Sequence, residues 1–436
     1  MTPLPHGMAP GLRALTEAIR AGLPSERGHV VSVRGPAIQV ALGEARLGAR
    51  LLLDERFEAE VVAFEGTVAV ALALSSTHGL RSGAPARVLC DQPLLVAGDE
   101  VLGRILDAAG RPIDGLGPLE GQADWPLRRA APDPLTRRPV TQVLPTGIRV
   151  VDALCPLGLG QRLALQSGPG AGKSTLLSQV AVTAEIDVVV VALIGERGRE
   201  VGPFVRSLDE VARRRTTVVL ARADEPPLTW VRAFECAIAL AERQRDDGRN
   251  VLLVCDSITR VARALRVIGL AAGEPVGRRG YPASMSTVLS QLLERIGNGP
   301  VGTLTGLLAV LVEGDDADDP VAEEVRSLVD GHLVLDPALA GAGRFPAVNI
   351  PRSISRCHES VVEAEDLKAA SCLRRWVSAF ETRSDLLAVG AYVRGSDREV
   401  DAFLERRVEI EAFLRQSPRD GTPIAETRRR LLELCR

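Results

Sequence analysis

The stretch QRLALQSGPGAGKSTLL, residues 161–177, decides the fold. RLALQ is an apolar run that reads as a strand, Ser167 to Ser174 form a glycine-rich loop, and a helix follows. The glycines let backbone N–H groups turn inward onto phosphate oxygens, and the helix N-terminus adds its positive end. Gly168, Pro169, Gly170, Ala171, Gly172, Lys173, Ser174 and Thr175 are therefore the candidate nucleotide cradle. Lys173 reaches the β- and γ-phosphates and Ser174 holds Mg²⁺. Lysine suits that place because an ammonium is a compact charge on a thin stem, whereas a guanidinium is a broad fork. The strict pattern has glycine where this chain has Ser167, and a small residue still allows the turn. The competing reading is a chance glycine-rich loop.

Around this loop, from about 147 to 350, strand and helix signals alternate. VVVVALI (188–194), TTVVLA (216–221), NVLLVCD (250–256) and GLLAVLVE (306–313) read as buried parallel strands, with helical stretches such as 229–245 and 284–296 between them. That pattern predicts an α/β domain on a parallel sheet. In VLLVCDS (251–257) four apolar residues lead to Asp256, which reads as a ligand in the Mg²⁺ shell, through water, or as a cap on the next helix. LIGERGREV (193–201) follows another apolar run, at the strand end where α/β sheets bind ligands. There Glu196 polarises the attacking water, and Arg197 pairs with phosphate or with Glu196. The bland alternative is a solvated Glu-Arg surface pair.

Basic residues are almost all arginine, with lysine only at 173 and 368. A lysine that survives such a bias marks a place where a guanidinium does not fit, and Lys173 is the candidate.

Farther out, residues 28–96 hold short β-rich runs (HVVSVRG, AIQVAL, ARLLL, AEVVAF, TVAVALAL, ARVLC) parted by Gly, Pro or charged turns, which predicts a small all-β barrel. Residues 97–146 are rich in Pro, Gly and Arg and read as a connector into the next domain. From about 360 strand signals vanish and Leu, Ala, Arg and Glu dominate, predicting a helical domain. Near the start, Leu12, Leu15, Ile19 and Leu23 stand at helical spacing, a short amphipathic helix for a partner or for the chain's own surface. The expected division is 1–27, 28–96, 97–359 and 360–436.

Of the 436 residues, 46% are hydrophobic and 25% charged, ordinary for a soluble globular protein. A net charge of −3 gives no global field for nucleic acid or a membrane surface. No apolar run reaches the 18 residues of a spanning helix, and the start lacks the basic and apolar blocks of a secretory signal. Seven scattered cysteines without CxxC spacing point to reduced thiols rather than a disulfide framework or zinc site.

Taken together, GPGAGKST (168–175), IGERGRE (194–200), LLERIGN (292–298), EGDDADDPVAEEVRSLVDGH (313–332) and PAVNIPRSISR (346–356) resemble the type III secretion and flagellar export ATPases, cousins of the rotary ATP synthase subunits. The likeness runs from about 28 to 436 and is densest over 144–356; EVRSLVDGH looks more like the injectisome branch than the flagellar one. It implies an N-terminal β-barrel, a RecA-like P-loop ATPase core, a C-terminal helical domain and a ring of six. It also implies ATP and Mg²⁺ as cofactors, Glu196 as the catalytic carboxylate, and Lys173, Ser174 and Asp256 as phosphate and metal residues. Arg356 falls where the family has the arginine finger that enters a neighbour's site; from residues alone it reads equally as a surface arginine before a helix. The implied partners are stator and central-stalk proteins, chaperone–substrate complexes and a membrane export gate, with the ring cytoplasmic and peripheral at the inner membrane.

Three departures stand out. The family's Asp before the SxSR segment is Asn349, the Tyr-Thr before its VLxEGDD run is Leu308-Ala309, and the Pro and Phe usual near Met285 are missing although RRGYP is kept. Among rivals, a rotary synthase subunit is disfavoured because Glu196 and Arg356 stand in one chain, so identical copies suffice. An RNA-translocating ring would need an aromatic, basic face in 28–96, yet aromatics are 3% overall. A silent structural ring would lack Lys173 or Glu196.

Overall fold

The computed structural model describes residues 28–312 and 319–436. The amphipathic stretch at 11–23 and the EGDDAD segment at 313–318 lie outside them. The chain divides into two compact units, one ending at Pro93 and one beginning at Leu94.

In the first unit, β1 (Gly28–Arg34), β2 (Ala37–Ala41), β3 (Arg50–Leu53), β4 (Phe57–Glu65), β5 (Val68–Ala73) and β6 (Pro85–Cys90) close into a barrel of order β1-β2-β5-β4-β3-β6. The period-two pattern explains it: in β2, Ile38 and Val40 point inward while Ala37, Gln39 and Ala41 are half-buried. Val30, Leu51, Leu53, Ala59, Val61 and Ala71 complete the barrel core. Closure leaves no open sheet edge.

The second unit is an eight-stranded sheet with helices on both faces. Its strands are β7 (Ile105–Leu106), β8 (Arg162–Ser167), β9 (Val188–Glu196), β10 (Thr216–Arg222), β11 (Asn250–Asp256), β12 (Thr303–Leu311), β13 (Gly331–Leu335) and β14 (Ile354–Ser355), in the order β14-β13-β8-β12-β11-β9-β10-β7. All neighbours are parallel except β13 and β14. Every residue of β9 is buried, as expected of a strand covered on both sides. The connector contributes more than turns, because its two-residue β7 pairs with β10 and extends the sheet.

The helices that matter for the site are α1 (Arg149–Leu154), α2 (Lys173–Thr183), α3 (Gly198–Ser207), α4 (Pro227–Asp246), α5 (Ile258–Ala271), α6 (Ser284–Glu294), α7 (Pro320–Leu328), α8 (Ala364–Thr382), α9 (Arg398–Glu405), α10 (Arg407–Leu414) and α11 (Ile424–Leu434). One apolar layer joins the sheet to α4, α5, α6 and α7 through Phe234, Leu240, Val261, Leu289 and Val325. The other joins it to α1, α2 and the C-terminal helices through Leu154, Val180, Leu373 and Phe413.

Buried arginines lock these layers. In the LLERIGN segment, Arg295 makes a two-pronged pair with Glu242 (3.0 and 2.7 Å), both buried, and also donates to the Leu127 carbonyl. Arg149 donates to the carbonyls of Phe413 (2.9 Å), Ala412 and Arg415 and to the Thr422 hydroxyl, fastening the C-terminal helices to α1. A buried guanidinium is tolerable only when its donors are met in this way.

Candidate active site

The phosphate loop leaves the C-terminal end of β8 and turns into α2. Gly170 (φ +76°) and Gly172 (φ +87°) adopt left-handed backbone, which is why glycine is needed there. Gly172 caps α2, and a Cβ on it would stand 3.7 Å from the Phe345 ring. Ser167, the departure from the strict pattern, has ordinary strand geometry in β8, so the turn begins after it.

Lys173 opens α2, and its ammonium is ion-paired with Asp256, buried at the C-terminal end of β11. Ser174 and Thr175 follow on the exposed first turn of α2. Glu196 ends β9. An extra residue, Gly195 at φ +63°, shifts the register against β10 just before it, and such a bulge re-aims the following side chain. Burial pushes the Glu196 carboxyl up to about 8, helped by a hydrogen bond shared with Glu200 and by the negative charge of Asp256, with Lys173 opposing. Glu200 moves the opposite way, chiefly through the same hydrogen bond, so the pair holds one proton on the Glu196 side.

Ser174, Thr175, Glu196, Glu200 and Asp256 line one cavity of about 850 Å³ between α2 and α3, walled also by Phe204, Arg199, Arg206, Pro418 and Arg419. Nucleotide-sized pockets fall in this range. A narrow cleft beside it, between Gly172, Thr175, Phe345, Pro346 and Pro418, adjoins the loop from the other side.

The donor set fits Mg²⁺. One buried carboxylate and one exposed hydroxyl, both hard oxygen ligands, flank the lysine, while among the described residues no group of three or more His, Cys, Asp or Glu could cage a metal. Mg²⁺ is commonly held by one or two carboxylates and completed by substrate phosphates. Ser257 Oγ, next to Asp256, is buried without a hydrogen-bond partner, a further polar atom at this end of the sheet.

Two site residues expected from sequence stand apart from this group. Arg197 is the exposed residue preceding α3 and is not among those lining the cavity; Arg199 is. Arg356 is exposed just past β14, and its N–H donates to the Asp330 carbonyl at 2.9 Å. β14 meets β13 at Gly331, whereas the residue of β13 beside Ser167 is Leu335. At about 3.3 Å per residue those points are roughly 13 Å apart, and Arg356 lies at the end of the sheet opposite its own loop.

Sequence reading missed Glu200, Phe345, Pro418 and Arg419. Glu200 was visible in GERGRE as a second carboxylate near the first. The other three come to the loop from at least 170 positions away in the chain and carry no local signal. Two of the three departures noted in the sequence are structural here. Leu308 and Ala309 are buried in β12, and Asn349 donates to Asp336 (3.1 Å) while accepting from the Arg352 N–H.

With this geometry in hand, comparison with known proteins is direct. Residues 147–355 match the model of the ATP synthase alpha/beta family nucleotide-binding domain, and 362–433 match that of the T3SS EscN ATPase C-terminal domain. The chain is 40% identical over 406 residues to a flagellum-specific ATP synthase of Treponema pallidum, covering 92% of this chain and 91% of the relative. It is also 40% identical over 418 residues to the type 3 secretion system ATPase of Pseudomonas syringae pv. syringae, covering 93% of each. Among solved structures, the assembled ATPase EscN from the type III secretion system of enteropathogenic E. coli superposes with a TM-score of 0.89, and its complex with the central stalk EscO with 0.86. Both are 36% identical and cover 94% of this chain and 100% of theirs. The barrel, the nucleotide-binding α/β domain and the helical C-terminal region therefore place this chain in the family of type III secretion and flagellar export ATPases.

Proposed function

We propose that six copies of this chain form a cytoplasmic ring, peripheral at an inner-membrane export gate, that hydrolyses Mg²⁺-ATP to drive protein export of the injectisome type. The carrying observation is that Asp256 and Glu196 line the cavity beside α2 together with Ser174 and Thr175, and that Lys173 is ion-paired with that Asp256, in a chain of this family. Loop amides and Lys173 hold the phosphates, Ser174 and Asp256 hold Mg²⁺, and Glu196 orients and deprotonates water. Mg²⁺ held there would supply charge neutralisation to the phosphates. Arg356 from the adjoining copy neutralises the transition state; what supports this is its exposed position at the far end of the sheet from its own loop. Central-stalk and stator proteins and chaperone-bound substrates are the proposed partners, the stalk by likeness to the EscN–EscO complex. Among the described residues no helix is long and apolar enough to cross a membrane, so the gate would be met from one side. The flagellar branch is the second reading, favoured by the equal identity to flagellar relatives; neighbouring genes for needle or for hook components separate the two.

Glu196→Gln tests the chemistry. It keeps the shape of the side chain and removes the base, so ATP binding should persist while phosphate release slows by about 10²-fold or more. Lost binding with a normal rate per bound ATP would remove Glu196 from the base role.

A pH profile gives the second check. The base works only when deprotonated, and in the free protein Glu196 loses its proton near pH 8. Because kcat/KM reports the free enzyme, it should climb with pH and level off above about 8, and the limb should be absent in the residual activity of Glu196→Gln. A flat profile from pH 6 to 9 would contradict the assignment.

A further inference from the structure

The nucleotide cavity has a wall that belongs to the C-terminal region, the loop Gln416–Asp420 between α10 and α11. This loop is fastened unusually firmly. Gln179, buried in the second turn of α2, donates through its side-chain amide to the carbonyls of Ser417 (3.1 Å) and Asp420 (3.0 Å). Gln416, also buried, donates to the carbonyls of Gly147 and Asp420 (both 2.7 Å) and accepts the Arg149 N–H at 2.9 Å. Its own backbone N–H donates to the Phe345 carbonyl at 2.8 Å. Gln179 ties two loop carbonyls to α2, and Gln416 ties the loop to the 147–149 segment, which together fix its backbone.

The residue this scaffold presents to the cavity is Arg419. Other arginines of the segment are occupied: Arg415 pairs with Glu411, and Arg429 and Arg430 pair with Glu426. Arg419 is exposed, and among the described residues its guanidinium has no ion-pair or hydrogen-bond partner. An unpaired guanidinium carried by a fixed loop backbone, on the rim of a pocket for a polyanion, is a ready ligand contact. Its chain neighbour Pro418 lines both this cavity and the cleft beside Gly172 and Thr175, which sets the loop next to Thr175.

We infer that Arg419 is a nucleotide-binding residue supplied by the C-terminal region, reaching the ribose and α-phosphate side of the bound nucleotide, and that Gln179 is the positioning residue that holds it there. The inference rests on the proposed nucleotide site. Because that side of the ligand is common to ATP and ADP, the contact serves both, and it ties the C-terminal helices to α2 whenever the site is filled.

The test is equilibrium binding of ATP and ADP on the full chain. Arg419→Ala, an exposed substitution that leaves the core untouched, should weaken both nucleotides about tenfold, as expected for one charge-assisted hydrogen bond. Arg419→Lys should recover part of the affinity. Gln179→Leu should give the same loss, and the double variant Gln179→Leu/Arg419→Ala should lose no more than either alone, because both remove one contact. A merely structural role for Gln179 would make the two losses multiply. Unchanged binding by Arg419→Ala, or multiplying losses, overturns the inference. Lys173→Ala serves as the reference: if it loses nucleotide while Arg419→Ala does not, only this inference fails, and if it binds like wild type the nucleotide site itself is misplaced.

Discussion

Lys173→Ala should bring ATP turnover down by about 10³-fold or more, the scale for removing a preorganised charge from a transition state that is stabilised almost wholly by electrostatics. The fold should survive, because Lys173 belongs to none of the apolar core clusters and its partner is the Asp256 carboxylate rather than a core side chain. Lys173→Arg should fail as well. The residue stands at the first turn of α2 with its ammonium against the buried Asp256 carboxylate and little of the side chain exposed, so a broad planar fork has little room. The scarcity of lysine elsewhere agrees: Lys368 is the only other one in the chain. Phosphate release with a circular-dichroism control decides it, and substantial turnover by the arginine variant would undo the scarcity argument.

Arg356→Ala should lower turnover by about 10³–10⁵-fold, the usual worth of an arginine finger, while the loop still binds ATP. The fold gives the reason for expecting a loss without a local cause. Arg356 is exposed past a two-residue edge strand, its side chain makes no described ion pair, and it cannot reach the loop of its own chain. A surface arginine of that kind ordinarily contributes little to stability. A large kinetic effect with an unchanged melting temperature would therefore place its action outside the chain that carries it. Activity per molecule should rise steeply with protein concentration for the same reason.

Much of this architecture was legible in the sequence because the signals are local. The loop from Ser167 to Ser174 carries its own glycines, and the runs leading to Glu196 and Asp256 are apolar enough to be strands buried on both faces. The barrel could be read from alternation in segments such as AIQVAL. What escaped was set by distance along the chain or by brevity. Ile105–Leu106 is too short to show a period, yet it becomes the edge of the main sheet. Nothing near Arg149 in the chain marks it, and only folding brings it to the carbonyls of Ala412, Phe413 and Arg415. Gln179 was one polar residue in an ordinary helix, and its two acceptors lie more than 230 positions away. The aim of the Glu196 side chain follows a bulge at Gly195, which strand propensity does not report.

The central claim is that the chemistry is completed between copies, with the loop and base from one chain and the finger from the next. Mixing tests it most directly. Lys173→Ala and Arg356→Ala proteins, each inactive alone, are combined at concentrations where rings assemble, and phosphate release is followed. The account predicts that turnover reappears in the mixture, since some interfaces then pair a sound loop with a neighbour's sound finger. Continued silence of the mixture, together with a wild-type monomer that works at full rate in dilute solution, would contradict it.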